Sequence, residues 1–211
     1  MARLRAPGGC PWDARQTHVS LVQYLLEEAY EAAEAIETNS RVDLREELGD
    51  VLLQVVFHAL IAADDPIDPF DLDDVARDVA AKLVRRHPHV FEEDEAKRLS
   101  AEESYKRWDQ IKTEEKSRDS VLDGIPVAQS PLARAQKVFG RARRAGLMPM
   151  TRSEADAAAS DPQRPLGERL AALAFLADAA EVDAEQELRA ATRQVEEQII
   201  ELEAGRPNGG Q

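Results

Sequence analysis

The apolar stretch VLLQVVFHALIAA, residues 51–63, constrains the fold more than any other part of this 211-residue sequence. A helix through it would carry apolar side chains on nearly every side, and such a helix needs packing partners on more than one side. The stretch is also shorter than the roughly 20 residues that a helix needs to cross a bilayer. We therefore predict a helix from about Asp43 to Ala63 that is buried in a helical core.

Helical periodicity continues through most of the chain, and no stretch gives a convincing strand. Apolar residues recur every three or four positions from about Thr17 to Glu37, and TNSRVD separates this helix from the next. Apolar residues make up 43% of the sequence but aromatic residues only 5%, which favours an aliphatic core of packed helices. The sequence predicts an all-α fold, an antiparallel helix bundle. The other predicted helices cover approximately residues 71–87, 101–116, 131–145, 166–180 and 184–203.

The net charge and the lack of targeting signals in the sequence limit the partners and the cellular location that we predict. The 41 acids outnumber the 27 bases and give a formal net charge of -14, which disfavours binding to a nucleic-acid backbone. The N-terminal residues contain no apolar run of the kind found in signal peptides, and no segment is long enough to span a membrane. The single cysteine, Cys10, excludes an intramolecular disulfide framework. We predict a cytoplasmic protein that binds neither nucleic acid nor membrane.

Two stretches of the sequence resemble each other, LGDVLLQVVFHALIAA at 48–63 and LGERLAALAFLADAAE at 166–181. Both begin with Leu-Gly, and Leu52 of the first corresponds to Leu170 of the second, as Phe57 corresponds to Phe175. A second helix of similar length follows each stretch. The pattern indicates a duplicated helical unit, with chance similarity between two Ala- and Leu-rich helices as the alternative.

The second stretch has lost most of the acids of the first. Glu168 corresponds to Asp50, but Pro165 stands at the position of Glu47. We therefore predict that the second copy is a degenerate remnant. The predicted division of the chain is a main domain at 1–146, a polar linker at 147–165, a degenerate helical pair at 166–204 and a disordered tail at 205–211.

Acidic side chains of the first two long helices are spaced so that they converge. Glu28 and Glu31 share one face of the first helix, and Glu47 and Asp50 share one face of the second. The short connection makes these helices antiparallel neighbours. Four carboxylates in one pocket need a positive partner, and oxygen ligands without Cys or His select Mg²⁺ or Mn²⁺. A solvated acidic stripe is the alternative.

Basic side chains later in the chain are candidates for phosphate binding, because a hard metal held by carboxylates commonly meets phosphate oxygens. Lys82 and Arg86 lie one helical turn apart, and Lys112 follows Trp108 by one turn on the next helix. The alternative is structural: Lys82 and Arg86 suit the dipole at a helix C-terminus, and Lys112 is an ordinary surface lysine.

The order of several separated motifs resembles one known family. Glu27-Glu28-x-x-Glu31 is followed by Glu47-x-x-Asp50, and GGCPWDARQTH, RRHPHVF and RWDQIKTEEK stand around them. Over about residues 3–146 the chain is similar to the MazG family of nucleoside triphosphate pyrophosphohydrolases.

The resemblance implies all-α subunits that form a homodimer or a larger homo-oligomer. It also implies Mg²⁺-dependent hydrolysis of (deoxy)nucleoside triphosphates to the monophosphate and pyrophosphate, a nucleotide-pool housecleaning activity. The implied metal ligands are Glu28, Glu31, Glu47 and Asp50, with Mn²⁺ as a substitute ion. Glu31 or Glu27 would accept the proton of the attacking water.

Substrate contacts follow from the same resemblance. Lys82, Arg86 and Lys112 would offset the triphosphate charge, Trp108 would either stack on the base or pack internally, and Trp12 with Gln16 would contact the base. The sequence does not determine which base is preferred. The alternative function is a non-catalytic helical dimer that binds nucleotide or a protein partner as a regulator.

Overall fold

The computed structural model describes residues 1–91, 99–115 and 119–205, apart from the side chains of 112–114. Regular structure in these residues is entirely helical, which confirms the predicted all-α class. The chain divides into two compact units, Met1–Glu115 and Lys116–Gln211, which are called unit 1 and unit 2 below. In the part of the chain that is described, no helix is both long enough and apolar enough to cross a membrane.

The described residues of unit 1 form seven helices, three of them short. Their bounds are α1 Ala2–Arg5, α2 Pro11–Arg15, α3 Val22–Glu37, α4 Arg41–Ala63, α5 Leu72–Arg86, α6 Pro88–Phe91 and α7 Ala101–Glu114. Unit 2 contains four helices in its described residues. Their bounds are α8 Pro131–Arg144, α9 Arg152–Ser160, α10 Leu166–Ala179 and α11 Ala184–Ala204.

Helices α3 and α4 form the antiparallel hairpin around which unit 1 is built. Asn39 adopts a left-handed backbone conformation with φ of 57°, which reverses the chain after α3. The Ser40 side chain then accepts a hydrogen bond from the Asp43 backbone N–H and caps the start of α4. A connection this short leaves the two helices packed side by side over most of their length.

Within one chain, α4 is covered unevenly along its length, because every residue from 56 to 62 is buried or half-buried whereas several apolar residues before them are exposed. The side chains of Gln54, Phe57, Ala59 and Ala62 are buried. Five large apolar residues of the helix are exposed, Val42, Leu48, Leu52, Leu53 and Val55. Both α3 and α5 pack against α4. The predicted cover on more than one side is therefore present for residues 56–62, and the exposed apolar residues before them are uncovered in the single chain.

Unit 2 has a core of its own, made by α8, α9 and α10. The rings of Phe139 and Phe175 meet edge to face with their centroids 5.5 Å apart. Alanines pack around this pair, and small side chains allow the three helix backbones to approach closely. The buried members of this core are Phe139, Ala155, Ala158, Ala172, Ala174 and Phe175.

The structure differs here from the predicted division of the chain. The residues predicted as a linker, 147–165, contain α9, whose Ala155 and Ala158 are buried in the core of unit 2. Thr151 and Glu154 form a reciprocal capping box that starts this helix. The boundary between units falls after Glu115, because α8 packs against α10 and so belongs to unit 2 rather than to the first domain.

The predicted helical pair at the end of the chain is present as α10 and α11. Corresponding residues of the two similar stretches have similar environments: Phe57 and Phe175 are both buried, whereas Leu52 and Leu170 are both exposed. This agreement is compatible with a duplication, which stays a prediction. Of the predicted disordered tail, residues 206–211 lie outside the described chain.

Candidate metal centre

Three carboxylates converge across the α3–α4 hairpin. Glu28 comes from α3, and Glu47 and Asp50 come from adjacent turns of α4, so a spacing of three residues places both on the side that faces α3. One carboxylate oxygen from each residue lies within 4.8 Å of the other two. All three side chains are half-buried, so the cluster is accessible from solvent.

The carboxylates of the cluster lie close enough together to raise one another's pKa values. Partial burial raises the pKa of Glu28, and the charges of Asp50, Glu31, Glu47 and Glu27 add to the rise. Partial burial also raises the pKa of Glu47, followed by the charges of Glu31 and Asp50. Both pKa values lie above the ordinary value of 4.5. The ionised form of this site is therefore destabilised unless a cation is close by.

Glu31 and Glu27 lie at the edge of the cluster. Among the described residues, the group within 4.8 Å comprises Glu28, Glu47 and Asp50 and leaves Glu31 outside. Glu31 is nevertheless close enough for its charge to raise the pKa of both glutamates of the group. Glu27 is exposed, and its charge makes the smallest contribution at Glu28. The sequence thus predicted four ligands, of which the structure groups three.

The donor set fits a hard divalent cation. Three carboxylates supply oxygen atoms only, and their mutual repulsion is relieved by a charge of +2. Mg²⁺ is commonly held by a few carboxylates while it keeps waters or phosphate oxygens in its other positions, which suits a half-buried cluster. The charges that surround Glu28 and Glu47 in the single chain are carboxylates.

The predicted phosphate-binding cations have different environments. The Lys82 side chain is exposed on α5. Arg86, one turn later, is paired with Glu115: its Nη2 lies 2.6 Å and its Nε 3.0 Å from Oε2 of Glu115. Arg85 donates to the other carboxylate oxygen, Oε1, at 2.6 Å. The side chain of Lys112 lies outside the described atoms.

Glu115 is a residue that the sequence did not single out. The hydrogen bonds from Arg86 and Arg85 lower its pKa from 4.5 to about 2. Its sequence signal is weak, because it is one acid in the run TEEK at the end of a polar helix. The partners lie some thirty residues apart in the chain, and the packing of α5 against α7 brings them together.

The residues predicted to contact the base, Trp108, Trp12 and Gln16, contact other residues of the same chain. Trp108 has its ring under the guanidinium of Arg86, whose Cζ lies 5.4 Å from the ring centroid. Trp12 packs edge to face on Tyr24 with the centroids 5.8 Å apart. The Gln16 amide donates to the Trp12 carbonyl oxygen at 3.0 Å and stabilises the end of α2. Trp12 keeps an exposed face, so it is open to a ligand.

A histidine pair ties the loop before α3 to α4. Nδ1 of His18 and Nδ1 of His58 lie 2.7 Å apart, and the two rings are stacked with centroids 5.0 Å apart. Burial lowers the pKa of His58, and the neighbouring His18 lowers it further. The pair fixes the loop that carries Gln16. No local sequence pattern indicates this pair, since forty residues separate the two histidines.

An all-α chain with a carboxylate cluster across one helical hairpin defines a class of helical proteins with a candidate acidic metal site. Comparisons with known proteins show which family within this class the chain resembles. A family model described as the MazG nucleotide pyrophosphohydrolase domain matches residues 16–91, which include the whole cluster.

Relatives extend the similarity beyond that domain. An uncharacterized 26.1 kDa protein from Streptomyces cacaoi is 49% identical over 90% of this chain and 74% of its own length. The protein named nucleoside triphosphate pyrophosphohydrolase/pyrophosphatase MazG from Thermotoga maritima is 38% identical over 96% of this chain and 82% of its own length. The chain therefore belongs to the MazG family.

The length of the match varies between relatives. The nucleoside triphosphate pyrophosphohydrolase of Mycolicibacterium smegmatis is 40% identical over 97% of this chain, but the match spans 57% of that protein. The chain thus covers little more than half of that curated relative.

Proposed function

We propose that this protein hydrolyses (deoxy)nucleoside triphosphates between the α- and β-phosphates, giving the monophosphate and pyrophosphate, as a nucleotide-pool housecleaning enzyme. The observation that carries the proposal is the convergence of Glu28, Glu47 and Asp50 within 4.8 Å. A divalent metal at such a cluster is the common means of binding a triphosphate to an acidic surface. The names of the relatives supply the reaction type.

In the proposed site, Glu28, Glu47 and Asp50 hold Mg²⁺ or Mn²⁺, and Glu31 completes the set from the edge. When bound, the metal neutralises charge on phosphate oxygens and makes a nearby water more acidic. The carboxylate of Glu31 acts more strongly on Glu28 than that of Glu27 does, and we therefore assign to Glu31 the proton of the attacking water.

The triphosphate also needs positive charge from the protein. We assign this role to Lys82 and Arg86 on one face of α5 and to Lys112 on α7. Lys82 is exposed and can move to a phosphate, whereas Arg86 is held in place by Glu115. Cations placed around the transferred phosphorus stabilise the charge that develops in the transition state.

Product analysis tests the proposed reaction directly. ATP, GTP, CTP, UTP and their deoxy forms would be incubated with the protein and Mg²⁺, and the products separated by ion-exchange chromatography. We expect monophosphate and pyrophosphate in equal amounts, and no turnover after chelation of the metal. Release of diphosphate and orthophosphate, or no turnover on any of these nucleotides, would contradict the proposal.

We further propose that the protein forms a homodimer or a larger homo-oligomer through the α3–α4 hairpin. Apolar side chains on the outer face of both helices are exposed in the single chain, and an apolar surface of this extent is typical of an interface. A symmetric dimer would bury the face on both copies. The exposed residues are Val22, Leu26, Tyr30 and Ile36 on α3, and Leu48, Leu52, Leu53 and Val55 on α4.

Leu52→Glu is expected to shift this assembly toward monomer. A charge at the centre of an apolar interface is costly to bury, so we expect the dissociation constant to rise by about tenfold or more, as measured by sedimentation equilibrium. The matched control is Ile67→Glu in the loop after α4, where the side chain is 91% exposed. A folded wild-type monomer at low micromolar concentration would show that α4 needs no second copy.

A further inference from the structure

Arg86 is held more firmly than an ordinary surface arginine. Its side chain is 11% exposed, that of its partner Glu115 is 15% exposed, and that of Arg85 is 56% exposed. Glu115 accepts hydrogen bonds from Nε and Nη2 of Arg86 through one carboxylate oxygen, and from Arg85 through the other. A single carboxylate thus neutralises part of the charge of two adjacent guanidinium groups.

Trp108 restrains the same guanidinium from a second direction. Its ring lies 5.4 Å from Cζ of Arg86, within the distance of a favourable cation–π contact. The Tyr105 ring, one turn earlier on α7, stacks on the Trp108 ring with an interplanar angle of 26° and the centroids 6.2 Å apart. The ring of Trp108 and the carboxylate of Glu115 therefore restrain the Arg86 guanidinium from two directions. The N–H groups on the Nη1 side are not among those bonded to Glu115.

We propose that Glu115 is a positioning residue that presents the Nη1 edge of Arg86 to a phosphate of the nucleotide. This inference rests on the proposed function and adds a residue to it. A restrained arginine loses little conformational freedom when it binds an anion, because the ordering has already taken place on folding. Glu115 thereby contributes to nucleotide affinity, even though its own charge repels phosphate.

The direction in which KM changes when Glu115 is removed distinguishes positioning of Arg86 from simple charge repulsion by Glu115. A carboxylate beside a triphosphate raises KM through repulsion, so its removal would lower KM if Glu115 were only a nearby charge. Loss of a positioning residue has the opposite effect, because Arg86 then samples orientations that do not reach the phosphate. A residue that only joins α5 to α7 would change the melting temperature and leave KM unaltered.

Steady-state kinetics of Glu115→Gln test the inference. We expect KM for the nucleotide to rise by about tenfold with kcat changed by less than about threefold, because the lost interaction acts on binding. The matched control is Glu102→Gln, which removes an exposed ion pair with Lys106 from the same helix and is expected to leave both constants unchanged. Glu115→Asp keeps the charge with a shorter reach and is expected to give an intermediate KM. If Glu115→Gln does not fold, the KM of Glu115→Asp tests the inference in its place.

A double-mutant cycle shows whether Glu115 acts through Arg86. In an Arg86→Ala background, Glu115→Gln is expected to leave KM unchanged, since no guanidinium remains to be positioned. An unchanged or lowered KM for Glu115→Gln in the wild-type background would overturn the inference. So would a tenfold rise that persists without Arg86.

Binding of a non-hydrolysable nucleotide, measured by calorimetry in the presence of Mg²⁺, separates this inference from the proposed function. A wild-type protein that binds but does not hydrolyse would contradict the reaction. A loss of affinity in Glu115→Gln would still support positioning in that case. A wild-type protein that neither binds nor hydrolyses would contradict both.

Discussion

Glu47→Gln and Asp50→Asn are each expected to lower turnover of nucleoside triphosphates by at least about a hundredfold. Each replacement removes one of three carboxylates whose oxygens lie within 4.8 Å, and an amide is a poor substitute for an anionic metal ligand. Even groups that only orient a metal ligand cost about 10- to 100-fold when they are changed, so a ligand costs more. Initial rates at saturating Mg²⁺ measure the effect.

Thermal unfolding shows whether the loss arises at the metal. At a Mg²⁺ concentration a hundred times Kd, the wild-type protein should gain about 2.7 kcal/mol, which corresponds to a rise in Tm of roughly 5–10 °C for a chain of this length. The Glu47→Gln and Asp50→Asn proteins should show a much smaller rise.

Because Glu47 has a raised pKa in the folded state, the folded protein binds more protons than the unfolded chain just above pH 4.5, and the free energy of unfolding falls as the pH increases through that range. Glu47→Gln removes this loss and should be at least as stable as wild type at neutral pH without metal.

The matched control for these variants is Glu168→Gln. Glu168 corresponds to Asp50 in the second of the two similar stretches, and it lies on α10 outside the cluster. We expect normal turnover and a normal response to Mg²⁺. Near-normal turnover of Glu47→Gln or Asp50→Asn would exclude these residues as ligands, and a large loss for Glu168→Gln would show that unit 2 contributes to the reaction.

Phe175→Ala is expected to destabilise unit 2 by about 3–5 kcal/mol, the usual cost of removing a large buried aromatic side chain. Phe175 is 4% exposed, and its ring meets that of Phe139 edge to face across the contact between α10 and α8. Alanines that line the rest of this core are too short to fill the cavity. Urea denaturation followed by circular dichroism measures the change.

Leu173→Ala on the same helix is the matched control for this prediction. Leu173 is 50% exposed, so its truncation should change the free energy of unfolding by less than about 0.5 kcal/mol in the isolated chain. A comparable loss for the two variants would mean that Leu173 is covered in the assembled protein. A loss below about 1 kcal/mol for Phe175→Ala would contradict the core that the structure assigns to unit 2.

The exposed apolar face of α4 illustrates a limit of pattern analysis. The stretch 51–63 predicted a helix with partners on more than one side, and the structure covers that helix over residues 56–62 but leaves Leu52, Leu53 and Val55 exposed. Periodicity reports how much apolar surface a helix carries but does not identify the element that covers it. The missing partner therefore has to be sought in a second copy, which sedimentation can detect.

The sequence by itself determined the helices and the acid pairs. Hydrophobic periodicity and a spacing of three residues are local properties, so α3, α4, α10 and α11 fall close to their predicted positions. The convergence of Glu28 with Glu47 and Asp50 followed from one short turn between two helices.

Only the tertiary structure decided which faces meet. Sequence patterns predict Arg86 as a phosphate-binding cation, yet in the structure it is paired with Glu115, which directly follows α7, and lies over the Trp108 ring. The segment predicted as a polar linker supplies Ala155 and Ala158 to a core, because short alanine side chains fit where two larger helices leave little space. Contacts of this kind depend on the distance and orientation of residues far apart in the chain, which no local pattern specifies.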